Sequence, residues 1–182
     1  NTELLQGLGL PGGMQNLENQ IMILKSRELI EKTLGELPFG IEFYFKTIRN
    51  RLPIYPGMPI SVVSDNEIPL PKDTEFSINY LGNNSFNIKS ESDYFLLDKT
   101  AAFGETIEIS GGSFRIECND EEWLNRNKDR MLCFIIYSSN ILVNDFKDRL
   151  NVELVSRGGS ILKISMVGPN PTKDADFINK LK

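Results

Sequence analysis

Between Leu17 and Leu37 apolar residues return every three or four positions, the spacing of a helix face. The segment NLENQIMILKSRELIEKTL predicts one helix, capped by Asn16 and running to about Leu34, with Gly35 and Pro38 to end it. At about 100° per residue, Leu17, Ile21 and Leu24 form one stripe, and Ile23, Ile30, Leu34 and Leu37 form a second, roughly 130° away. A surface helix needs only one stripe. Either the helix is covered on both sides by its own monomer, or one stripe meets a neighbouring copy.

The period then falls to two. Ile41, Phe43 and Phe45 alternate with Glu42, Tyr44 and Lys46, which predicts a half-buried strand, and Pro53, Pro56 and Pro59 break the chain after it. From Pro59 to about Asn119 the pattern is wholly β. Phe76, Ile78 and Tyr80 alternate, Gly82-Asn83-Asn84 turns the chain, and Phe86 and Ile88 alternate again. A second hairpin follows, with Ile107 and Ile109, a turn at Gly111-Gly112, then Phe114 and Ile116. Residues 119–130 are charged, and MLCFIIY (131–137) is a short continuous apolar run, as a central strand requires. Ser138 to Asn140 cap a helix whose Leu142, Phe146 and Leu150 recur every four residues. NVELVS and ILKISMV read as strands joined by Arg157-Gly158-Gly159, and Asn170-Pro171 starts a last helix. The predicted class is α+β. A mixed sheet packs with helices from both ends of the chain (15–58 and 120–182), and an antiparallel meander (59–119) is inserted between them in a single domain over 1–182.

Composition narrows the chemistry. At 182 residues, 40% hydrophobic and 25% charged, the chain can bury a real core. A net charge of -5 without a basic patch argues against nucleic acid as a partner. There is no histidine, which removes Ser-His-Asp and Cys-His mechanisms and most catalytic zinc sites. Cys118 and Cys133 have no CxxC spacing, and Cys133 sits in an apolar run, where a buried thiol is the simpler reading than a disulfide. No stretch approaches the roughly 20 apolar residues of a membrane helix, and no secretory signal is visible. The chain opens at Asn1 without methionine and stops at Lys182 inside a helical pattern, as a piece of a longer protein would.

Three segments in order resemble the polysaccharide co-polymerases, the chain-length determinants of bacterial surface polysaccharide. NLENQIMILKSRELIEKTL is similar to that family's N-terminal Asn-Glu-Ile-Glu-x-Leu-Lys-Ser-Arg pattern. Leu150, Val152, Glu153 and ILKISMV, followed by Pro171, Ala175, Asn179 and Leu181, are similar to its segment before the second membrane helix. FSINYLGNNSFNI with Gly104-Glu105 looks like the inserted region of the branch fused to a cytoplasmic tyrosine autokinase.

The resemblance implies a periplasmic domain held at the bacterial inner membrane between two membrane helices. It would assemble into a homo-oligomeric ring and act with the polymerase and export machinery of capsule or exopolysaccharide, the polysaccharide itself being a further candidate partner. Glu18, Met22, Lys25 and Arg27 are the interface residues it points to. Gln20 and Met22 stand where the family commonly has acidic residues, which leaves room for an apolar contact through Met22. Both ends of the domain must reach one membrane, so Gln15 and Lys182 are expected at one pole. No GxxxxGK[ST] occurs, so an ATP site of a kinase parent would lie outside this chain, and no catalytic residue, cofactor or metal is expected within it.

Two rival functions rest on residue type. Asp93, Asp98, Glu105 and Glu108 offer carboxylates for a glycosidase acid and base, against the reading of a solvated meander edge. Tyr44, Tyr55, Tyr80, Tyr94 and Trp123 offer rings for a carbohydrate-binding module, against the reading that aromatics at strand spacing fill a core.

Overall fold

The computed structural model describes residues 12–64, 70–92, 95–110, 112–155 and 161–181. In chain order these form α1 (Gly12–Leu24), α2 (Arg27–Gly35), β1 (Ile41–Lys46), β2 (Arg51–Ile54) and β3 (Ile60–Ser64). Next come β4 (Glu75–Gly82), β5 (Ser85–Ser92), β6 (Phe95–Ala102), β7 (Thr106–Ile109) and β8 (Gly112–Cys118). The last are α3 (Glu121–Arg126), β9 (Leu132–Ile136), α4 (Ser139–Arg149), β10 (Leu150–Leu154), β11 (Leu162–Met166) and α5 (Pro171–Leu181). The class is α+β with antiparallel sheets, as the pattern predicts. The chain divides into two units, one of Pro38–Ser139 and one built from both ends, Asn1–Leu37 with Asn140–Lys182.

The central unit holds a six-stranded antiparallel sheet ordered β2-β1-β9-β4-β5-β6 and a three-stranded sheet ordered β3-β8-β7. The inward positions of each alternating strand meet in one core. Phe43, Phe76, Ile78, Phe86, Ile88 and Phe134 come from the larger sheet, and Ile60, Ile107, Phe114 and Ile116 from the smaller. Phe76 stacks on Phe134 at 4.8 Å and meets Phe114 edge-on at 6.1 Å, linking the two sheets by rings. The β4–β5 hairpin turns through Asn83 and Asn84, at φ 51° and 61°, the left-handed pair that a two-residue turn between twisted strands demands.

Two expectations change here. The strand β1 is not half exposed: Tyr44 is fully buried on the face opposite the core, beside Cys133 and Ile135. Pro53 does not break the chain but lies in β2, an edge strand, where its missing N–H costs no ladder bond. The meander of 59–119 joins the core sheet through β4, which pairs with β9 and places β5 and β6 in the same sheet as β1. The two compact units divide after Leu37 and after Ser139. Alternation marks each strand, but the partner across some 50 residues leaves no local signature.

In the unit made from the chain ends, α4 buries Leu142, Val143 and Phe146, and α5 buries Phe177 and Leu181. The rings of Phe146 and Phe177 lie 4.7 Å apart. β10 and β11 form an antiparallel pair, and the Asn170 side chain accepts a hydrogen bond from the Lys173 N–H at 3.0 Å to start α5. α1 lies against β10 and α2, and α2 lies against α5.

The predicted single N-terminal helix is two helices. Ser26 has extended backbone (φ -68°, ψ 142°), and its hydroxyl accepts from the Leu29 N–H at 3.3 Å, so it caps α2 and breaks the run after Leu24. Asn16 lies inside α1 and caps nothing. The offset between the stripes arises because a single helical period was carried across that break. Ile30 and Leu34 are buried in α2, whereas Ile23, which the pattern grouped with them, is 60% exposed.

Candidate functional site

Of the expected interface residues, Glu18 and Met22 lie one helical turn apart on α1 and are exposed, Met22 at 71%. Lys25 is half-buried in the link between α1 and α2. Arg27 is already engaged: Nη1 donates to Asn144 Oδ1 at 3.1 Å and Nη2 to Asn140 Oδ1 at 2.5 Å, tying the start of α2 to α4. A cation in the first turn of a helix opposes its dipole, and these two amide oxygens offset that cost. Glu18 and Met22 are thus free surface, and Arg27 is a structural link. Lys182 lies outside the described residues. The elements nearest it do meet the N-terminal segment, because Lys180 of α5 pairs with Glu36 at the end of α2 at 2.6 Å.

The carboxylates proposed for glycosidase chemistry form no acid–base pair among the described residues. Asp93 lies outside them. Asp98 is held below the usual carboxylate range by the Asn87 amide at 3.0 Å and by Lys89 at 2.8 Å. Glu105 is held low by the Ala102 N–H at 2.9 Å, with Lys99 adding to it. A general acid needs its pKa raised, and these shifts run the other way. The aromatic residues make no stacking platform either. Tyr44 and Tyr80 are buried, Trp123 stacks on Phe45 at 5.2 Å, Tyr55 meets Phe39 edge-on at 5.5 Å, and Tyr94 lies outside the described residues.

The most closely knit polar group was not singled out by sequence. Glu75 on β4 accepts from the Tyr44 hydroxyl at 2.5 Å, from Arg51 at 3.1 Å, and from Lys46. Tyr44 pairs with Cys133 in register, so its side chain crosses β9 to reach Glu75 on the far neighbouring strand. Burial pushes the Glu75 carboxyl up, but its bonds to Lys46 and Tyr44 and the nearby cations outweigh that and hold it below its ordinary value. Burial and the Glu75 charge raise the Tyr44 hydroxyl. The Cys133 thiol is pushed up to about 11, chiefly by burial. Such a group fixes strands in register and holds no activated nucleophile. Among the described residues no set of His, Cys, Asp or Glu is arranged to hold a metal ion, and no helix is long and apolar enough to cross a membrane.

Beside this network a cleft of about 480 Å³ opens over Ser77 and Asn79 of β4 and Asn87 and Lys89 of β5, walled by Lys128 and Arg130. The sequence signal for it was weak, because Ser, Asn and Lys at alternate strand positions read as ordinary solvated face. No protein-family model and no curated protein matches the chain.

Proposed function

We propose that this chain is a non-catalytic assembly domain of the polysaccharide co-polymerase type, acting in polymerisation, chain-length control or export of a bacterial surface polysaccharide from the periplasmic face of the inner membrane. The observation that carries the reading is the unit made from both chain ends. The two segments that resemble the family's terminal motifs, far apart in sequence, share that unit, with α2 against α5. A domain tethered at both ends to one membrane needs such an arrangement. Exposed Met22 and Ile23 on α1, with Glu18 alongside, supply the apolar and charged surface for a neighbouring copy. The carboxylates with lowered pKa support a role through shape and contact instead of bond cleavage. In a strain lacking the parent protein, the parent carrying alanine at Asp98, Glu105 or Glu108 should restore polysaccharide of normal length and amount. A variant that is expressed and assembled but yields no polymer would point to a glycan-handling site instead.

A further inference from the structure

The cleft on the six-stranded sheet is built from two elements of different character. Its floor is a block of four side chains, since Ser77 stands opposite Lys89 and Asn79 opposite Asn87 on the face away from the core. The Asn87 amide nitrogen is held by Asp98 Oδ1 at 3.0 Å and the Lys99 carbonyl at 3.2 Å, which fixes the orientation of that side chain. Asn79 is exposed, and among the described residues its side chain has no hydrogen-bond partner. Hydroxyl and amide groups on a flat strand surface can each donate to and accept from a polyhydroxylated ligand.

The wall is cationic. Lys128 is exposed and has no ion-pair partner among the described residues. Arg130 is held by its face, with its guanidinium carbon 3.6 Å from the centroid of the Phe45 ring, which itself stacks on Trp123. Arg130 Nη1 also donates to Asn127 Oδ1 at 3.5 Å, and the remaining N–H groups of a guanidinium fixed by its face are left for a planar anion. Lys89 is already paired with Asp98 at 2.8 Å, so Lys128 and Arg130 are the two cations that face the single Asp129 in this lining, although the chain as a whole carries -5. The volume lies within the ~300–1,000 Å³ of small-molecule sites. Among the described residues no aromatic ring lines the cleft, so a neutral sugar would lack the stacking that usually holds it.

We propose that this cleft binds a carboxylate-bearing sugar residue, with Lys128 and Arg130 on the carboxylate and Asn79 on the ring hydroxyls. The sugar rests on the polysaccharide reading above, and the negative charge follows from the cleft alone. Trp123 is the one tryptophan of the chain and contacts the ring that carries Arg130, so its emission reports on the site. The full chain is titrated with a glucuronate-containing tetrasaccharide, with the same tetrasaccharide after reduction of its carboxyls, and with inorganic phosphate. The acidic tetrasaccharide should bind saturably, and the reduced form and phosphate should bind at least about tenfold more weakly, the scale of one lost charge-assisted hydrogen bond. Lys128→Ala and Asn79→Ala, both at exposed positions, should each weaken binding about five- to tenfold without changing the melting temperature. Equal binding of the reduced form, phosphate binding as tight as the sugar, unchanged affinity in Lys128→Ala, or no saturable binding would each overturn the proposal. Assembly through α1 is read by cross-linking and does not depend on this titration, so either idea can fail alone.

Discussion

Arg149 Nη1 donates to Asp174 Oδ1 at 2.6 Å, and this ion pair joins α4 to α5 at a point where the carboxylate is only 7% exposed. Asp145 accepts two further bonds from the same guanidinium, at 3.0 and 2.8 Å. Burial alone would lower the Arg149 pKa, and the two carboxylates more than reverse that. A Cβ at Gly168 would sit 2.3 Å from Arg149 Nη1 and 2.4 Å from Asp174 Oδ2, so a larger residue there must push the pair aside. Removing Asp174 leaves Arg149 with Asp145 alone and takes away one charge-assisted hydrogen bond. Asp174→Ala should therefore cost about 1.5–3 kcal/mol, and Gly168→Ala about 1–3 kcal/mol through forced displacement of the pair. Urea unfolding measures both, and a Gly168→Ala protein as stable as the parent would contradict the packing described.

The Glu75 network gives a pH dependence with a definite sign. Its folded-state pKa is lowered below the ordinary 4.5, so its contribution is fully present above that value and is lost as pH falls through the lower folded value. Lys46, Arg51, Tyr44 and Cys133 are the groups that face it. At pH 7 the wild type should melt above Glu75→Gln, and the gap should close on acidification below pH 4.5. A gap that stays constant from pH 7 to pH 3 would mean that the carboxylate charge does not stabilise the fold.

Both cysteines are free, and they differ in burial. Cys133 is fully buried with its thiol raised to about 11, whereas Cys118 is half-buried with a thiol raised chiefly by burial. A thiol-specific reagent at pH 8 should therefore label Cys118 first and reach Cys133 only on unfolding. Equal rates at both in the folded protein would contradict the burial of β9.

The strands were legible because alternation is a local property: Phe76, Ile78 and Tyr80 carry it whatever they pair with. Pairing was not. Nothing near Glu75 announces Tyr44, which lies 31 residues earlier and two strands away. The break between α1 and α2 was legible in principle, since Ser26 precedes Glu28 in a first turn, but the apolar spacing on either side concealed it. The helix α3 was missed for a similar reason. Residues 119–130 showed only charge and no apolar period, although Asp120 caps the helix by accepting from the Trp123 N–H at 2.8 Å, and Glu121 and Glu122 fill its first turn. The cleft has no motif, because it depends on the loop before β9 standing beside β4 and β5.

Arg27 separates two kinds of interface variant. Because it bonds to Asn140 and Asn144, charge reversal there should lower the melting temperature of the isolated chain, whereas Glu18→Lys should leave it within the ±0.5 kcal/mol expected of surface changes. Calorimetry on the two variants checks this. An unchanged melt for Arg27→Glu would mean that the link to α4 carries no stability.

The proposal that α1 meets a second copy is tested most directly by a photo-cross-linking amino acid at Met22 in the membrane-bound parent which that proposal implies, with Leu96, 81% exposed on β6, as the control position. High effective concentration in the bilayer favours assembly there that a dilute soluble chain would not show. Irradiation should give a ladder of covalently joined copies from position 22 and none from position 96, and Met22→Glu should reduce native assembly while leaving the melt of the isolated chain unchanged. Monomer alone from position 22, in a strain that still makes polysaccharide of normal length, would contradict assembly through α1.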